Sequence, residues 1–137
     1  MSRMVSTIYE VKRGVYQRLS NYQPLLELVT EVFSEAGKKP ILPYVFVGEV
    51  TANSYTTKQT GGQEVTLTIH TWSDFAGDDE VLQIHPVILE ALNEGIDVGE
   101  QYYVMLSDLE NEQILRNPDR QTRQGILEVN FTVMENG

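Results

Sequence analysis

A reaction centre in this chain would have to be built from histidine, carboxylates and hydroxyls, because its 137 residues include no cysteine. That absence removes disulfides, thiolate nucleophiles and cysteine-ligated zinc. His70 and His85 would have to meet, with Asp74 or Asp78 as a further ligand, to hold zinc. Nothing in their spacing requires this, and exposed or partly packed histidines are the simpler expectation. Asp78, Asp79 and Glu80 are adjacent, so on a helix they fan out instead of converging on a cation; they suit the positive end of a helix dipole. Gly61-Gly62 has neither the Lys-Ser/Thr nor the following helix of a phosphate loop, and no serine sits in a nucleophile elbow. A glycosidase-like carboxylate pair stays open in so acidic a chain, without a spacing that singles one out. No catalytic, cofactor-binding or metal-binding residue is assigned, and no cofactor is expected.

The length is that of one ordinary domain, taken as 1–137. A hydrophobic content of 41% is too high for a disordered chain, so a core can form without metal or disulfide. No apolar run approaches the ~20 residues of a membrane helix. The N-terminal stretch lacks the pattern of a signal peptide, so synthesis in a cytoplasm is expected. A formal charge of −10 argues against bulk affinity for nucleic acid. The charge is also unevenly spread: no Lys or Arg occurs between Lys58 and Arg116, while acidic residues run from Glu64 to Glu112. Either this is a well-solvated acidic surface, or the chain is a polarised subunit whose basic edge meets a neighbour's acidic flank.

Stepping along the chain, Val5, Ile8, Tyr9, Val15, Tyr16 and Leu19 predict a helix over about 4–19. Pro24 suits the start of a short helical turn, and a short strand is expected near 31–33. The run 44–50 is apolar on both faces and reads as a central strand covered on both sides. The polar stretch from Asn53 to Gln63 reads as a long mobile hairpin loop. Residues 64–73 alternate cleanly, with His70 and Trp72 on the polar face. For Trp72 two readings stand: a helix covers that face and the indole packs beneath it, or the indole is an exposed anchor at a subunit contact.

A second helix is predicted over 78–93, with Gly95 as its C-terminal cap and Pro86 causing a kink or a break in the first turns. Strand segments 102–106 and 113–116 lead to a turn at 117–120, and the chain returns through 125–134. The fold class is α+β: a mainly antiparallel sheet with an N-terminal helix and a central helix packed on it, and long β-hairpins.

The order of these pieces resembles the tail-completion, or tail-terminator and head–tail connector, family of bacteriophages and prophages. The resemblance is carried by Leu42-Pro43-Tyr44-Val45, Gly48-Glu49, Leu67-Thr68-Ile69-His70-Thr71-Trp72-Ser73, Gly77 with the helix containing Glu80 and Ile84, and Gly125-Ile126-Leu127-Glu128-Val129. It spans about 5–133. Pro86 and the acidic segment Asp108–Glu112 depart from it.

The resemblance implies a structural virion protein, not an enzyme. Its copies would form a hexameric ring at the head-proximal end of a tail, possible also as free monomers, ending the tail tube and joining it to the head. The implied partners are the chain itself, the major tail tube protein and head–tail connector proteins, with no membrane and no specific nucleic acid. A neck adaptor, a minor tail protein, or a small enzyme or ligand-binding domain are the alternatives. A head-to-tail ring needs two unlike complementary patches. Candidates are Arg13, Arg18, Arg116, Arg120 and Arg123 on one side, and Asp78, Asp79, Glu90 and Glu94 on the other. Asn53, Tyr55, Lys58, Gly61 and Gly62 are candidates for a loop that docks on a partner.

Overall fold

Val11, Val15 and Leu19 recur every four residues, and a helix gathers them into one stripe that is completely buried. In the computed structural model, which describes residues 3–35, 40–57, 59–75, 77–119 and 121–136, this helix is α1, Ile8–Ser20. It begins later than the sequence pattern predicts. The Thr7 backbone N–H and hydroxyl both donate to Gln63 Oε1, at 2.7 and 3.0 Å, which holds the preceding chain on the sheet before the first turn. The turn α2 (Gln23–Leu26), with Pro24 in its first positions, and the strand β1 (Glu31–Phe33) follow as expected. The remaining elements are β2 (Tyr44–Ser54), β3 (Gly62–Ser73), α3 (Asp79–Asn93), β4 (Tyr102–Arg116) and β5 (Arg123–Glu135).

The strands form one sheet in the order β1-β2-β3-β5-β4. Only the β1–β2 pair is parallel. This is the predicted α+β arrangement. Alternation sets its core: Val65, Leu67 and Ile69 of β3 lie opposite Phe131, Val129 and Leu127 of β5. All six are buried, together with Ile84, Ile88, Ala91 and Leu92 of α3. Each such side chain contributes roughly 1.5–3 kcal/mol of burial, so these facing rows bind helices and sheet into one core.

Both long helices lie on the same face, and that corrects two expectations. Among the described residues no helix covers the other face. Strand β2 is therefore covered on one side only: Val45 and Val47 are buried, while Tyr44 and Phe46 are half-exposed on the open side. Trp72 pairs with Tyr44 on that same open face and is not packed beneath a helix. The apolar stripes of α1 and α3 are used up on the first face, leaving none for the second.

Three further differences have local causes. Helix α3 runs unbroken through Pro86. Pro86 lies on its exposed side, and the carbonyl that loses a partner belongs to Leu82, itself exposed, where water can serve it. The hairpin after β2 is shorter than its polar composition implied, because Asn53 and Ser54 pair with Glu64 and Gln63. The connecting loop is 55–61, tightened by a Thr57 N–H bond to the Thr60 carbonyl at 2.9 Å. Strand β4 is continuous where two segments were expected; the acidic stretch Asp108–Glu112 stays in the ladder, with bulges between Val104 and Leu106 and between Leu109 and Asn111.

Candidate assembly surface

Strand β4 is the last strand of the sheet and, among the described residues, pairs with no strand but β5. Nearly all of its 15 residues are exposed, including Tyr103, Met105, Leu106, Leu109 and Leu115. Register places Leu109 and Ile114 on the helix side and Tyr103, Leu106 and Leu115 on the open side. One edge thus offers a row of unpaired backbone donors and acceptors flanked by apolar side chains on both faces, the geometry of a strand that another chain can extend.

The open face carries a second feature. Phe33, Tyr44, Phe46 and Trp72 line a recess of about 340 Å³ together with His70, Glu49, Glu35 and Gln124. Phe33 and Tyr44 meet edge to face with ring centroids 5.4 Å apart. His70 lies across a bulge in β2 at Gly48, where a Cβ would come within 2.8 Å of the imidazole. The Gln124 amide donates to His70 Nδ1 at 2.9 Å, which leaves Nε2 to carry the proton and donate to Glu49 Oε1 at 2.8 Å. Burial alone would raise the Glu49 carboxyl, but the bonds from His70 and the backbone outweigh it and lower its pKa, assisted by the charge of Lys12. Glu49 is thus a fixed anion at the mouth of an aromatic recess.

His85 lies on the opposite side of the sheet from His70, so the two never share a ligand. It is completely buried, contrary to the exposed or partly packed position expected. Its place exists because residue 125 is glycine: a Cβ there would meet His85 and come 2.5 Å from Val81 Cγ1. His85 Nδ1 donates to Glu112 Oε2 at 2.8 Å, while Nε2 is buried without a partner. Burial lowers the His85 pKa against the opposing pull of Glu112. This tie joins α3 to the edge strand. Sequence reading misses it because the partners lie on separate elements and no local periodicity links them.

The structure brings several of the candidate charges together within one chain. Arg123 is buried, and its Nε donates to Asp78 Oδ1 at 2.9 Å. Arg18 Nε donates to the Gly95 carbonyl at 2.7 Å and its Nη2 to the Glu94 carbonyl at 3.5 Å, capping the C-terminal end of α3. Glu90 accepts from the Tyr22 hydroxyl, a bond that, with burial and Glu94, raises the tyrosine pKa. Arg13 lies over the Tyr9 ring, 5.2 Å from its centroid. Asp79 is exposed in the first turn of α3, and Arg116 is exposed at the end of β4. Arg120 and Lys58 lie outside the described residues. Of the loop candidates, Asn53 belongs to β2 and Tyr55 is exposed. Gly61 and Gly62 are buried, the Gly61 carbonyl accepting from Glu135 N–H at 2.9 Å. Among the described residues no group of three His, Asp or Glu converges to hold a metal.

The sheet thus carries two features that suit contact with other chains, an unpaired strand at one edge and an open aromatic recess toward the other. The model of the tail completion protein gp17 family matches residues 13–134, and the chain belongs to that family, a group of phage tail structural proteins. It is 29% identical over 126 residues to the tail completion protein gp17 of Bacillus phage SPP1, covering 92% of this chain and 93% of that protein. The solved structure of bacteriophage SPP1 gp17 matches with a TM-score of 0.64 at 28% identity, over 90% of this chain and 88% of that one. A chain from the virion of a native gene transfer agent particle shares the fold with a TM-score of 0.84 at 19% identity, covering 96% and 98% of the two chains.

Proposed function

We propose that copies of this chain close into a ring, hexameric when assembled, at the head-proximal end of a phage-type tail. There the ring ends the tail tube and joins it to the head, and the chain works by fit, not by catalysis. The observation that carries this reading is strand β4, a long edge with exposed Leu106, Leu109 and Leu115 and no strand on its outer side among the described residues. Bulges and the acidic stretch Asp108–Glu112 blunt the middle of this edge, yet Leu106, Leu109 and Leu115 leave apolar surface along it that calls for a partner. Family membership supplies the setting, and the major tail tube protein and head–tail connector proteins are the neighbours it implies. The charged candidates that stay outward, Arg116 and Asp79, are available for the contact between copies, whereas Arg123 and Asp78 already hold each other.

Leu106→Lys with Leu109→Lys tests the edge. Size-exclusion chromatography with light scattering on assembled material should show loss of the ring with unchanged circular dichroism. Rings of wild-type stability from this variant would remove β4 from the contact. The tip of the 55–61 loop is assigned to docking on a neighbour in the tail: deleting residues 57–60 should leave folding intact and block head–tail joining.

A further inference from the structure

We infer that the aromatic recess on the open face receives an arginine, Arg116 of the next copy in the ring. This inference rests on the ring reading and deepens it by naming the pair of residues at the contact.

The recess has the chemistry of a guanidinium site. Tyr44, Phe46 and Trp72 supply aromatic faces, which attract a cation through their ring quadrupoles. Glu49 and Glu35 supply carboxylates at its margin. His70 pins Glu49 in place at 2.8 Å, so the anion is set before any ligand arrives. No Lys or Arg lines the recess among the described residues. Arginine suits this combination better than lysine, because its planar head stacks on a ring while its N–H fork bonds a carboxylate.

The fold itself holds a matching donor. Arg116 is exposed, and its side chain makes no hydrogen bond or ion pair among the described residues. It sits on β4, at one edge of the sheet, whereas the recess lies over β1, β2 and β3 at the other. The two sites are also level along the strands. Arg116 pairs with Arg123 and Arg123 with Ser73, while Tyr44 pairs with Trp72, the neighbour of Ser73. Arg116, opposite the buried Arg123, lies on the helix side of β4, whereas the recess opens on the other side. The β4 edge of one copy must therefore overlap the β1 edge of the next, helix side to open side, at the same height. Unlike patches on opposite edges at one level are what a closing head-to-tail contact requires.

The test is a charge swap read on rings assembled in solution or recovered in tails, with the wild-type chain measured alongside. Glu49→Arg and Arg116→Glu should each raise the concentration needed for assembly by about tenfold or more, and the combined variant should restore it. Both positions are exposed, so circular dichroism should stay unchanged. A second measurement uses the absence of cysteine: Glu49→Cys with Arg116→Cys in one chain should give a ladder of disulfide-linked oligomers on oxidation, each single variant at most a dimer. If single reversals assemble like wild type, or the combined variant restores nothing, the contact is overturned and the ring stands. If Glu49→Arg forms normal rings that fail to join a head, the recess belongs to a different protein and the contact is again overturned. If the wild-type chain forms no ring even in tails, the ring reading falls and the contact with it.

Discussion

His85 and Glu112 tie the interior to the edge: an imidazole with no exposed surface donates a hydrogen bond from its Nδ1–H to a carboxylate on the outermost strand, 2.8 Å away. The other ring nitrogen has no partner. Protonating it would place an N–H beside Gly125 with nothing to accept it, so the site disfavours the charged imidazole.

Stability should therefore fall in mildly acidic solution. The folded pKa of His85 lies below its ordinary value of 6.5. Above about pH 6.5 neither folded nor unfolded chain carries the extra proton, and stability is full. Below it the unfolded chain binds a proton that the folded chain refuses, and stability declines until the depressed folded pKa is reached. Urea denaturation at pH 7.0 and 5.5 should show this loss, up to about 1.4 kcal/mol per pH unit. The loss should be absent from His85→Gln. An equal loss in that variant would assign the slope to other groups.

Gly125→Ala should destabilise the protein by about 1–3 kcal/mol through overpacking alone. The added methyl would drive into His85 and Val81, on the face where β5 meets α3. Paired with His85→Ala, which opens space beside it, part of that loss should return. Thermal melts of the two single variants and the double variant measure this coupling.

Arg123→Ala should cost about 2 kcal/mol, because the packing of the buried side chain is lost together with its bonds to Asp78 and the Gln121 carbonyl. Asp78→Asn should cost less, since an amide oxygen still accepts from Nε. Arg123→Glu would set a carboxylate beside Asp78 and damage the fold, so it reports on stability and not on assembly. Denaturation midpoints should be highest for Asp78→Asn, lower for Arg123→Ala and lowest for Arg123→Glu.

Much of the architecture was legible because it rests on periodicity. The alternation of β3 and β5 is a local pattern and folds as written, whereas the α1 stripe does so only in part. Val15 and Leu19 are buried, but Tyr9 is exposed and Val11 takes the buried position a turn before Val15. What periodicity does not encode is which face the helices choose. The run 44–50 is apolar on both sides, and composition cannot say that Tyr44 and Phe46 look outward onto an uncovered face. Nor does it say where a polar strand ends: Asn53 and Ser54 read as loop yet pair with Glu64 and Gln63, because strand membership there is set by the partner. The charged candidates were named on net charge along the chain. Ion pairing is a matter of distance, and only coordinates show Arg123 closing on Asp78 and Arg18 capping α3.

The most direct measurement is electron microscopy of particles produced without this chain. The ring account predicts DNA-filled heads lying beside separate tails, with tubes unjoined or grown past their normal length. Joined particles with tails of normal length would contradict it.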